Sequence, residues 1–183
     1  MQFPNSRPDA EPVILWQLQN DLLMLAEAQL GSRDATKKIY QPIFDANGPF
    51  LINTPKFDGA FACLSPNAAG YWPTTVYEMA HETVHLLNPA VANTNWLEEG
   101  VAVAFSVFAL VHYKLPKQEP NLPSYQEALA LVEALPGGSF STARAARALA
   151  GALNAVTFEH LAALFPGYDE CRLRRLASCC VPR

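Results

Sequence analysis

The chain has 183 residues, half of them apolar and 16% charged, with a formal net charge of -4. That balance excludes a disordered tail, and nine glycines and 15 prolines without a period exclude a collagenous or low-complexity chain. A mildly acidic chain sets up no general basic field, so neither nucleic acid nor an acidic membrane is expected as a partner.

Residues 1–12 (MQFPNSRPDAEP) lack the apolar core of a signal peptide, which makes the cytoplasm the expected location. VILWQLQNDLLMLAEAQL then repeats apolar residues at helical spacing, with Pro12 suited to its first turn and Gly31 to its stop. Three strand-like runs follow, KKIYQPIF, PFLINT and KFDGAFACLS, separated by DANGP and by Thr54-Pro55. Pro42 confines its strand to an edge or a bulge, and residues 37–65 read as a small twisted sheet. SPNAAGYWP reads as a loop.

Thr75 with Glu78 has the T-x-x-E form of a capping box, predicting a helix from about Val76 to Leu87, stopped by Asn88-Pro89. Asn95 with Glu98 repeats the signature, predicting a second helix that runs towards Leu115. Its uncharged run GVAVAFSVFALVHY would span only ~21 Å, too short to cross a membrane, and reads as a buried core helix. KLPKQEPNLP is a Pro-rich connector. Beyond it, Ser124 with Glu127 opens YQEALALVEAL, PGG precedes TARAARALAGAL, Thr157 caps FEHLAALF, and a last helical stretch follows Asp169. The order of helix, strands and then helices predicts an α+β fold in one domain over 1–183, with a mixed front at 1–115 and a helical back at 116–183.

One pentapeptide carries chemistry. HETVH, residues 81–85, matches H-E-x-x-H, which a chain of this composition would contain by chance roughly half a percent of the time. Inside a helix, His81 and His85 share a face and offer two imidazoles to one ion, while Glu82 projects about 60° away from His85, within reach of a metal-bound water. A catalytic zinc site needs a third protein ligand. WLEEGVA, residues 96–102, supplies two glutamates: the capping box engages Glu98, leaving Glu99 to face the HETVH helix as the third ligand. Gly100 removes a side chain beside it, which would let the two helices approach closely.

The remaining features read as structural. No CxxC pair exists, and Cys63, Cys171, Cys179 and Cys180 read as thiols of a reducing compartment. Trp16, Trp72 and Trp96 read as packing residues, and Arg172, Arg174 and Arg175 as a solvated face. His112 falls about 140° round the helix from Glu99 and Tyr113 lies roughly 21 Å along its axis, so neither suits the site.

H-E-x-x-H followed by W-L-x-E-G-x-A resembles the gluzincin, or peptidase MA-like, zinc metallopeptidases. The resemblance spans about residues 57–115. It implies a zincin-like fold with an active-site helix pair, and Zn2+ held by His81, His85 and Glu99. It further implies Glu82 as general base for hydrolysis of a peptide or protein substrate. An upstream edge strand that binds extended peptide is implied as well, and KFDGAFACLS stands where it should be. The family takes an oxyanion-stabilising Tyr or His from its downstream helical part, which here offers His160, Tyr168 and Tyr125. Thermolysin-like members carry an Asp four residues after the glutamate ligand, where this chain has Val103, and no G-x-M-E-N exopeptidase motif occurs. Two alternatives stand beside the peptidase: a catalytically inert zinc-binding scaffold with the same fold, and a peptide deformylase in which Cys63 of Cys63-Leu64-Ser65 ligates the metal.

Overall fold

A computed structural model describes residues 1–89 and 94–181. They form an α+β fold with a small four-stranded sheet. Helix α1 (Pro12–Leu30) begins and ends where Pro12 and Gly31 predict, and Gly31 closes it at φ 91°, a conformation that glycine adopts without steric cost. Leu15, Leu18, Leu22, Ala26 and Leu30 make its buried stripe.

Pro42 splits the first strand-like run into β1 (Lys38–Ile39) and β2 (Ile43–Phe44), because proline has no N–H to donate to a ladder. Both pairs run parallel to β4 (Gly59–Leu64), while β3 (Phe50–Asn53) pairs with β4 antiparallel on its other side. The expectation that KFDGAFACLS supplies an edge strand is therefore corrected: β4 is interior, and its side chains are almost entirely buried. Thr54 N–H donates to the Gly59 carbonyl, whereas the Ala60 and Leu64 carbonyls accept from Tyr40 and Asp45. This alternation turns the main-chain groups of Leu51 away from β4, so among the described residues β3 is one edge of the sheet, opposite β1 and β2.

SPNAAGYWP is not a loop. Ser65 accepts from Ala68 N–H and caps a short helix, α2 (Pro66–Gly70). Helix α3 (Trp72–Leu86) starts a full turn before its predicted origin, with Pro73 in its first turn. Thr75 is thus inside the helix and donates to the Ala68 and Tyr71 carbonyls. Glu78 reaches instead to Ser65, accepting from its N–H at 2.8 Å and its hydroxyl at 2.5 Å. A capping signature cannot say which of two nearby starts the chain uses, and here the Pro73 start prevails.

Helix α4 (Trp96–His112) ends one turn before the predicted Leu115, and Asn95 Oδ1 accepts from Glu98 N–H as its cap. Four more helices follow: α5 (Pro123–Glu133), α6 (Ser139–Ala150), α7 (Phe158–Leu164) and α8 (Glu170–Ala177). Ser124 does not cap α5, which Pro123 opens; Glu127 pairs instead with Arg175 at 2.9 Å. Thr157 caps α7 as its sequence predicts, and α8 follows Asp169 as expected, with the Asp169 side chain capping it by accepting from Cys171 and Arg172 N–H.

The chain resolves into two compact units. The first (1–27, 32–90 and 105–119) holds the sheet, α2, α3 and most of α1. Its buried residues include Leu18 and Leu22 of α1, Ala60, Ala62 and Leu64 of β4, and Val76 and Met79 of α3. The second (28–31, 91–104 and 120–183) holds α5 to α8 and the beginning of α4. There Trp96, Ala128 and Cys180 form a buried cluster, and buried Arg147 donates to the Leu30 and Gly31 carbonyls at the end of α1. Of Arg172, Arg174 and Arg175, each pairs with a carboxylate, from Asp169, Glu170 and Glu127 respectively. No described helix is long and apolar enough to cross a membrane.

Candidate metal centre

The rotation of α3 is set by its buried polar residues. Thr83, the third residue of HETVH, lies about 200° round the helix from His81. It donates to Met79 O at 2.6 Å and accepts from Gln19 Nε2 of α1 at 2.9 Å. Gln19 interrupts the apolar stripe of α1, and that interruption was the available signal for this lock. With Thr83 held on one face, His81 and His85 emerge on the opposite one, their ring centroids 5.1 Å apart and their planes at 60°.

His81, His85 and Glu99 each bring one ligand atom into a group in which all lie within 4.8 Å of one another. His81 is 5% and Glu99 4% exposed. Ligand atoms about 2.0–2.1 Å from a tetrahedral ion sit about 3.4 Å apart, and three donors within 4.8 Å of one another are a group that could hold a cation. Two imidazoles and a carboxylate also match a divalent transition metal in donor chemistry, and a cation offsets the cost of burying Glu99. The geometry places the three sequence-predicted ligands together, and among the described residues Cys63 is not one of the group.

Glu82 is 4% exposed on the same helix. Its charge reaches the Cys63 thiol of β4, which burial chiefly, and then the carboxylates of Asp45, Glu82 and Glu78, push above the usual thiol range. Round the helix Glu82 lies about 60° from His85. Glu78, which sequence reasoning spent on a cap, is a further acid on this side: burial raises its pKa against the opposing effect of the two Ser65 hydrogen bonds and of nearby His81.

Gly100 does the reverse of what its place beside Glu99 suggested. A Cβ there would meet Ala128 O at 2.3 Å and Val132 Cγ1 at 2.6 Å, so the close approach it permits is to α5 rather than to the HETVH helix. Both helices lie in the second unit at this point. Glu98 is as buried as Glu99, so the cap at Asn95 does not leave it at the surface. Cys180 lies near Glu99, and its thiol is pushed up to about 11, by burial first and by the Glu99 charge second.

The residues offered for oxyanion stabilisation have other engagements. His160 Nδ1 accepts from Thr157 N–H in the α7 capping box. Tyr168 donates to Ala134 O at 2.9 Å. Tyr125 lies in the first turn of α5, half-buried. No family model matches this chain, and no curated protein or solved structure matches it.

Proposed function

We propose that this chain is a zinc-dependent peptidase of the gluzincin type. The observation that carries the reading is the convergence of His81, His85 and Glu99 from two helices, with the buried Glu82 one residue from the first ligand. Bound there, zinc would lower the pKa of a water in its open position towards ~7 and polarise a substrate carbonyl. Glu82 would act as the general base, its carboxylate taking a proton from the attacking water and returning it to the departing amine nitrogen, so that it ends each turnover as it began. The open edge at β3 supports an extended peptide as substrate, since an added strand would take up the outward main-chain groups of Leu51.

A second reading, an inert zinc-binding scaffold, is favoured by one observation. His160 and Tyr168 hold structural hydrogen bonds, so no oxyanion donor stands assigned.

The test is metal content and hydrolysis of a peptide library by wild type, Glu99→Ala and Glu82→Gln. The peptidase reading expects one zinc per chain in wild type, loss of it in Glu99→Ala, and retained zinc in Glu82→Gln with hydrolysis reduced about 10²-fold or more. Zinc binding with no hydrolysis of any peptide selects the scaffold. Absence of binding even with zinc added refutes both.

A further inference from the structure

The face of α3 that carries the histidines continues towards the helix N-terminus. At 100° per residue, Thr74 lies between His81 and His85 in azimuth, 20° from each, and Tyr77 lies 40° from His81 and about 6 Å nearer the N-terminus. Thr74 Oγ1 accepts a hydrogen bond from Gln118 Nε2 at 3.0 Å, so the Pro-rich segment after α4 crosses this face. Thr74, Tyr77, both histidines and residues 105–119 all belong to the first unit.

On the same helix the Tyr77 hydroxyl is buried and has no hydrogen-bond partner, and the Glu119 carboxylate of that segment is near enough to act on it. Burial first, and the Glu119 carboxylate second, push its pKa up to about 12, so it stays a neutral O–H donor. A buried hydroxyl without a partner is destabilising, and Tyr77 carries that cost on the metal-facing side of the helix. The Pro-rich segment has the construction of something that lifts. It has no regular structure between α4 and α5, and its Lys117–Glu119 pair is solvent-exposed. It starts at Lys114, held at φ 57°, a conformation that is strained for a residue with a side chain.

Building on the peptidase reading, we propose that residues 115–119 are a displaceable cover over the N-terminal half of the metal-bearing face, and that Tyr77 donates its hydroxyl to a main-chain carbonyl of the substrate peptide once they lift. Tyr77 acts here on substrate binding and takes no part in the proton transfers of Glu82.

The experiment uses the zinc-loaded full chain as wild type, Tyr77→Phe and Gln118→Ala. Calorimetry measures affinity for acetohydroxamate, which needs only the metal, and for a dipeptide hydroxamate, which also needs the groove. Trypsin cleavage after Lys117 reports the cover. Tyr77→Phe should bind the dipeptide hydroxamate about three- to tenfold more weakly, bind acetohydroxamate unchanged, and melt no lower than wild type, since it deletes an unsatisfied group. Gln118→Ala should be cut several-fold faster after Lys117, and dipeptide hydroxamate should accelerate cleavage of wild type. Equal dipeptide affinity in Tyr77→Phe, or parallel loss of both probes with a lower melting temperature, overturns the assignment and leaves the peptidase reading standing. Wild type that holds zinc but binds neither hydroxamate removes both.

Discussion

Gly100→Ala tests whether the helix carrying Glu99 is held by its contact with α5. On helix propensity alone the substitution should stabilise an interior helical position by about 1 kcal/mol. The structure reverses the sign. The new methyl would stand 2.3 Å from Ala128 O, 2.6 Å from Val132 Cγ1 and 2.9 Å from Ala128 C. Carbon atoms rest about 3.5–4.0 Å apart, so Val132 alone must yield by about 1 Å. Val132 could turn to a new rotamer, but Ala128 presents mid-helix main chain, and the only relief is to move α5 away from α4. Overpacking of this kind costs about 1–3 kcal/mol and more where main chain must shift, which leaves a net loss of about 2 kcal/mol. In a chain of this length that is a fall of roughly 4–8 °C in melting temperature. Thermal denaturation of Gly100→Ala beside Gly70→Ala checks it, because a Cβ at Gly70 meets nothing within 4 Å and should leave the melting point unchanged or higher. A Gly100→Ala protein that melts with or above wild type would refute the close-packing argument.

Zinc at about 100 times its Kd should stabilise the chain by about 2.7 kcal/mol, readable as a melting shift of roughly 5–11 °C that Glu99→Ala abolishes; a shift that survives in Glu99→Ala places the ion elsewhere. In the metal-free chain Glu78 has a folded pKa above its ordinary 4.5 because of burial, so its contribution is full below that value and is lost as pH rises through the folded pKa. Denaturant melts of Glu78→Gln should therefore lose less stability than wild type as pH rises from 4.5 to 7, and identical slopes would contradict the linkage. Cys63 is fully buried with a raised thiol pKa, so it should resist iodoacetamide in the native chain, and Cys63→Ala should bind zinc like wild type; loss of zinc in that variant would restore Cys63 as a ligand.

The site was more legible in the sequence than the surroundings that fix it. HETVH and WLEEGVA supply the two imidazoles and the carboxylate that lie together, and for the imidazoles that information is local: an i, i+4 pair points one way in any α-helix. Helix α1, the cap at Thr157 and the helix after Asp169 were readable for the same reason, each depending on residues within one turn, whereas the run around Pro42 reads as one edge or bulged strand and is two. What was misread depends on distant partners. Glu78 matched a capping box, yet its acceptors are spent on Ser65, thirteen residues earlier. Gly100 sat beside the ligand, yet its neighbour in space is Ala128. Glu127 had the spacing of a cap and instead pairs with Arg175. The place of KFDGAFACLS in the sheet could not be read either, because alternation within a strand says which face is buried but not how many neighbours flank it.

The start of α4 is tied down by the last part of the chain. Trp96 N–H donates to Ser178 O, Cys180 N–H to Thr94 O, and the Trp96 indole to Cys179 O, 83 residues away in sequence. Asn95, which caps the same turn, donates to Leu153 O. During synthesis the two histidines and Glu99 emerge close together, but the bonds that seat the first turn of α4 wait for residues 178–180 to leave the ribosome. Ser178 lies a further 79 residues beyond Glu99, so the Glu99 carboxylate is made well before the turn that carries it is anchored.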